Sequence, residues 1–147
     1  MNKIFINVDG GSRNNPGQAA IGVVFSNEKG DSIKEYSEYL GDGITNNEAE
    51  YRAAIISLQK LKQFLGKELA KKSNVELRSD SEFLVKQLKG EYKVEQPHIQ
   101  QLFLELWNML VELPNIKLRH VPRTKNVRAD QLVNAELDKQ AAAQNLL

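Results

Sequence analysis

The chain has 147 residues, 41% hydrophobic and 27% charged, with a net charge of +1 and no cysteine. That is the size and balance of one ordinary domain able to bury a core, and it excludes a disulfide scaffold, a thiolate metal site and a cysteine nucleophile. The amino terminus is too short and polar for a secretory signal and no apolar run approaches a membrane span, so a cytoplasmic, membrane-free setting is expected, and any nucleic-acid-binding surface must be local.

Ile4, Ile6 and Val8 alternate with Phe5, Asn7 and Asp9, which reads as a strand ending in a carboxylate. Turn formers crowd residues 10–17, and a second strand over about 20–26 leads through Asn27-Glu28-Lys29-Gly30, a hairpin turn, into a third over about 32–40. Gly41-Asp42-Gly43 is expected to break that strand. Thr45 and Glu48 have capping-box spacing and open a helix over about 46–65. A short strand over 75–79 follows. Asp80 and Ser81 then cap a brief helix ending near Leu88. Ile99, Leu102, Phe103, Leu106, Leu110 and Leu113 mark an amphipathic helix that Pro114-Asn115 stops. A fifth strand covers 116–121, Asn126 is placed to cap the last helix, and residues 140–147 are expected to fray. The order β-β-β-α-β-α-α-β-α predicts one α/β domain over residues 1–147, with a five-stranded mixed sheet flanked by helices.

Four acids occupy places where a surface charge is unexpected. Asp9 ends the first strand before a Gly-Gly pair, a position favoured for ligand sites. Glu50 heads the apolar stripe of Ala54, Leu58, Leu61 and Leu65, whereas Glu48 points away and can pair with Arg52 on the solvent face. Asp80 ends the fourth strand, and Asp130 lies in the first turn of the last helix. Singly, each has an ordinary reading: a turn Asp, acids favoured at a helix N-terminus, a helix cap. Together they can converge, and converging carboxylates call for a cation. All-oxygen ligands favour Mg²⁺ or Mn²⁺, and with only His98 and His120 available the chain does not suit zinc.

Asp9-Gly10-Gly11-Ser12-Arg13-Asn14-Asn15-Pro16-Gly17, Thr45-Asn46-Asn47-Glu48-Ala49-Glu50-Tyr51, Ser79-Asp80-Ser81-Glu82 and the run from His120 to Asp130 occur in that order. They resemble the ordered motifs of type 1 ribonuclease H over nearly the whole chain. The resemblance implies the ribonuclease H-like fold and a metal-binding tetrad of Asp9, Glu50, Asp80 and Asp130. Asp9 would bridge two Mg²⁺ ions (Mn²⁺ can substitute), with Glu50 and Asp80 on one and Asp130 on the other. It implies endonucleolytic hydrolysis of the RNA strand of RNA/DNA hybrids, leaving 5′-phosphate and 3′-hydroxyl ends. Gly11, Ser12, Arg13, Asn15, Asn46 and Asn47 would touch the minor groove, and Thr45 and Asn15 a DNA-strand phosphate.

Residues 90–95 lack the basic protrusion by which some members grip the hybrid, as in handle-less members, and Lys86, Lys89 and Lys93 form only a thin patch. Of two candidates near the metals, His120 falls in the strand pattern, whereas Arg123 follows Pro122 in a loop and is the expected catalytic aid. No obligate protein partner is evident, so a monomer is expected. The alternative reading is a catalytically silent hybrid-binding module on the same fold.

Overall fold

The computed structural model describes residues 3–146. Strands β1 (Lys3–Arg13), β2 (Gly17–Ser26), β3 (Ser32–Ile44), β4 (Asn74–Ser79) and β5 (Ile116–His120) form one sheet in the order β3-β2-β1-β4-β5. β2 pairs antiparallel with β1 and β3, while β4 pairs parallel with β1 and β5. The helices are α1 (Asn46–Leu65), α2 (Lys67–Lys72), α3 (Glu82–Leu88), α4 (Pro97–Glu112) and α5 (Val127–Asn145), with a 3₁₀ turn at Arg123–Lys125.

The mixed five-stranded sheet flanked by helices agrees with the sequence reading, with one added helix. Gly66, at φ +81°, ends α1 with its N–H on the Lys62 carbonyl, and α2 fills the step to β4. On one face, Ile6, Val8, Ile21, Val23 and Leu77 meet Tyr51, Ala54, Leu58 and Leu61 of α1, with Ile99 and Leu106 of α4 behind. Each fully buried leucine or isoleucine there contributes about 1.5–3 kcal/mol. On the other face, Ala20 meets Val133 and Leu137 of α5.

Several boundaries differ from expectation, β2 beginning at Gly17 among them, and three shifts come from long-range pairing. β1 runs through Gly10-Gly11 to Arg13 because both glycines pair with β2, opposite Ile21 and Ala20, which leaves only residues 14–16 as the turn. β3 continues to Ile44 because Gly41 and Gly43 take positive φ and the β2 partner absorbs register shifts. α5 extends to Asn145 instead of fraying from residue 140; a Gln18–Gln144 hydrogen bond of 3.1 Å ties that end to β2. Leu147 lies outside the described residues.

Candidate metal centre and groove

Two glycines let the helices approach the sheet closely enough to build the site. A Cβ on Gly10 would lie 2.2 Å from the Ala49 carbonyl, so only glycine lets the start of α1 meet β1 there. A Cβ on Gly22 would lie 2.3 Å from the Ala129 carbonyl of α5. Gly22 is the β2 partner of Asp9. One contact therefore delivers Glu50, and the other Asp130, toward Asp9.

Thr45 and Glu48 form the expected capping box that starts α1. Glu48 is committed to that box, with His98 Nε2 at 3.7 Å, rather than paired with Arg52. Glu50, one residue past Ala49, turns inward. Its Oε1 accepts from the Gly10 N–H at 3.3 Å, and its Oε2 is buried with no hydrogen-bond partner in the protein.

Carboxylate oxygens of Asp9, Glu50 and Asp80 lie within 4.8 Å of one another. Asp130 stands outside that trio, and its charge also acts on Asp9. Burial, then the charge of Asp80, pushes the Asp9 carboxyl up to about 7. Burial, then Asp9 and Asp80, holds Glu50 well above the usual carboxylate range, against the opposing Gly10 N–H. Like charges this close stay ionised together only beside a cation. The orphaned Glu50 Oε2 and the all-oxygen donor set both fit a hard divalent ion.

Asn126 ties the elements together. Its side chain, 1% exposed, does not cap α5 as the sequence suggests. Nδ2 donates to the Val8 carbonyl at 2.8 Å and to Asp80 Oδ2 at 3.1 Å, and Oδ1 accepts from Asn7 Nδ2 at 3.0 Å. One amide thus links the middle of β1 and the residue after β4 to the start of α5. Asn134, one turn beyond Asp130, donates to its Oδ1 at 3.3 Å. Ser81 alone caps α3, which leaves Asp80 free to join Asp9 and Glu50. The sequence offers Asn126 only a helix-capping role and gives Asn134 none, because an Asn before or within a helix has an ordinary local reading; their bonds to Asp80 and Asp130 distinguish them.

The carboxylates lie in a groove of about 560 Å³ that Gly11, Ser12, Arg13, Asn46, Asn47 and Arg123 also line, along with Phe83, which sequence reasoning missed. Asn15 and Thr45 do not line it. Asn15 Oδ1 accepts the Asn46 N–H at 2.9 Å and Thr45 caps α1, so both shape the α1 entrance. The Ser12 N–H donates to Asn46 Oδ1 at 2.8 Å, and Arg13 is held by Asp138 at 2.7 Å. His120 ends β5 opposite Ser79 and is not among the lining residues.

A family model described as reverse transcriptase-like matches residues 7–136. LC11-RNase H1, isolated from compost, superimposes with a TM-score of 0.89 at 46% identity, over 96% of this chain and 99% of that one. The chain belongs to the ribonuclease H family.

A second LC11-RNase H1 structure, in complex with RNA/DNA hybrid, gives a TM-score of 0.88 at 45% identity, covering 94% and 99% of the two chains. Ribonuclease HI of Halobacterium salinarum is 36% identical over 88% of this chain and 62% of its own length. The chain spans between 37% and 62% of the length of the first curated relatives it matches. As a ribonuclease H-fold domain it has a compact 90–95 loop, and among the described residues no helix is long and apolar enough to cross a membrane.

Proposed function

We propose that the chain hydrolyses the RNA strand of RNA/DNA hybrids at the carboxylate groove, leaving 5′-phosphate and 3′-hydroxyl ends. The observation that carries this reading is the Asp9–Glu50–Asp80 trio, its first two members buried and Asp80 half-buried, with an unpartnered Glu50 oxygen, lining the groove. The hybrid bound by LC11-RNase H1, a protein 45% identical, supports the choice of substrate.

Asp9, Glu50, Asp80 and Asp130 would hold two Mg²⁺ ions, for which Mn²⁺ could substitute. When bound, these ions neutralise the clustered carboxylates, screen the scissile phosphate and make a water a competent nucleophile. The protein's own part is positioning. Gly10 and Gly22 set the spacing of the helices, and Asn126 and Asn134 orient Asp80 and Asp130. Asn46 and Asn47 at the α1 start, with Gly11 and Ser12, face the minor groove, where a 2′-hydroxyl distinguishes RNA from DNA. Asn15 and Thr45 hold that entrance in shape and reach a DNA-strand phosphate. Arg13, anchored by Asp138, borders the duplex, and Arg123 offers a permanent charge to the scissile or leaving phosphate. The unit works as a single cytoplasmic domain and a monomer.

The test is cleavage of matched hybrid, double-stranded RNA and double-stranded DNA with Mg²⁺, Mn²⁺ or chelator. Hybrid RNA cut only with a divalent ion is the expected result. Hybrid bound but left intact with Mg²⁺ would make the chain a silent binding module and overturn the reading.

A further inference from the structure

Helix α5 lies over β1, β2 and β3, but beyond it the same sheet face is covered by long cationic side chains. The register puts Phe5, Glu76 and Lys117 in one row and Asn7, Arg78 and Arg119 in the next. With Lys3, these two rows hold four cations against the single carboxylate of Glu76, in a chain whose total charge is +1. Lys3 Nζ, Arg78 Nε and Arg119 Nη1 approach that carboxylate at 3.6, 2.6 and 3.8 Å. The one acid is already satisfied, and a positive excess faces solvent.

Arg78 is held in place. Its Nε donates to Glu76 Oε2, and its guanidinium carbon lies 4.1 Å from the centre of the Phe5 ring. The stem covers apolar surface, while the side chain stays 28% exposed. A guanidinium anchored through Nε, with its Nη fork uncommitted, is pre-organised for an oxyanion such as phosphate.

Charges on an edge strand also block unwanted sheet pairing, which accounts for charge on β5 but not for its sign. The other edge strand, β3, mixes Lys34 with Glu35 and Glu38, and Arg78 is not on an edge strand. The face also runs on into the groove. Asn7, the register partner of Arg78, donates to the Lys125 carbonyl at 3.3 Å, and Arg123 at the other end of that turn lines the groove.

We propose that Arg78, Lys117, Arg119 and Lys125 bind the phosphate backbone of a nucleic-acid duplex whose cleaved segment occupies the carboxylate groove. This face then supplies the grip that the compact 90–95 loop does not. Such contacts position a duplex without reading its sequence. The proposal rests on the reading of the groove given above.

The test is fluorescence anisotropy of the full chain in chelator, where cleavage plays no part, over a salt series. The probes are hybrids of one helical turn, about 10 base pairs, and of about three turns. The decisive variant is Lys117→Gln with Arg119→Gln, at exposed positions, with thermal melting to confirm folding; Arg78→Gln is the second. For the longer hybrid the double variant should raise Kd about tenfold and make the salt slope shallower by about two. The one-turn hybrid should change less. Wild-type affinity and slope in the double variant, the result expected if the face serves an acidic protein instead, overturns the proposal. An equal proportional loss on both lengths also overturns it, by placing these cations inside the groove. Cleavage by the wild-type chain in Mg²⁺ is scored separately. Its absence sinks the groove reading, whereas intact cleavage with unaltered variant binding sinks only this one.

Discussion

Asp9 and Glu76 are each 7% exposed, on adjacent strands of one sheet, and their carboxyls shift in opposite directions. Burial works to raise both. At Glu76 it is outweighed by Arg78, Lys3 and Arg119, which hold the group below its ordinary value. At Asp9 the neighbours are Asp80, Glu50 and Asp130, and the group is pushed up to about 7. Asp9 is the more deeply enclosed of the two, but the neighbours give Glu76 a self-sufficient ion cluster and leave Asp9 an unmet demand for positive charge. Strongly perturbed acids in a groove mark functional positions with a stated physical cause. The contrast also separates a carboxylate that supports the fold from carboxylates that wait for a ligand.

The largest effects should come from neutralising the two sides of this contrast. Asp9→Asn or Asp80→Asn should lower hybrid hydrolysis by about 10³-fold or more at saturating Mg²⁺. In chelator, Asp9→Asn should nonetheless melt higher than the wild type at pH 8. A raised folded pKa means the ionised group opposes folding, so the wild type loses stability as pH rises from about 4, the unfolded value, to about 7. The gap should therefore close near pH 4. Glu76→Gln should do the reverse and melt lower at neutral pH. Its lowered pKa contributes stability above the ordinary carboxylate range that is lost as pH falls through the lowered value. Calorimetry across pH decides; an Asp9→Asn variant less stable than the wild type at pH 8 would refute the unmet-charge argument.

Gly22→Ala sharpens the contrast by moving one side of it. The new Cβ meets the Ala129 carbonyl at 2.3 Å, so α5 and Asp130 must shift. Overpacking of this kind costs about 1–3 kcal/mol, and the misplacement should cut turnover about 10²-fold. Wild-type kinetics in a folded Gly22→Ala chain would show that α5 is not positioned by this contact.

Asn126→Ala leaves the Val8 carbonyl and Asp80 without their shared donor. Stability should fall by about 1–3 kcal/mol. Divalent-ion affinity, read by titration calorimetry, should drop about 10–100-fold as for other groups that orient ligands. Unchanged ion affinity would reduce Asn126 to a packing residue. The smallest effect concerns the groove rim: Arg123→Ala should reduce kcat about tenfold, the scale of one charge-assisted hydrogen bond, and His120→Ala less. A greater loss in His120→Ala, with an imidazole-like limb gone from the pH profile, would reverse that assignment.

Much of this molecule is written in short stretches of sequence. Alternation in residues 4–8 dictates a strand, and Thr45 with Glu48 dictates where α1 begins, since both signals act over a few residues. The four carboxylates stand out by their places at strand ends and helix starts, and ordered motifs link them. What no local pattern contains is their meeting. Glu50 reaches Gly10 across 40 residues, Asn126 reaches Asp80 across 46 and Val8 across 118. The same holds for β1 continuing through two glycines, for Gly22 opening space for α5, and for Asn126 forsaking a cap to bond Asn7, Val8 and Asp80. Each choice looks wrong or neutral locally and becomes favourable only when a distant partner satisfies it. Periodicity and capping depend on near neighbours along the chain, whereas hydrogen-bond satisfaction and close packing depend on neighbours in space.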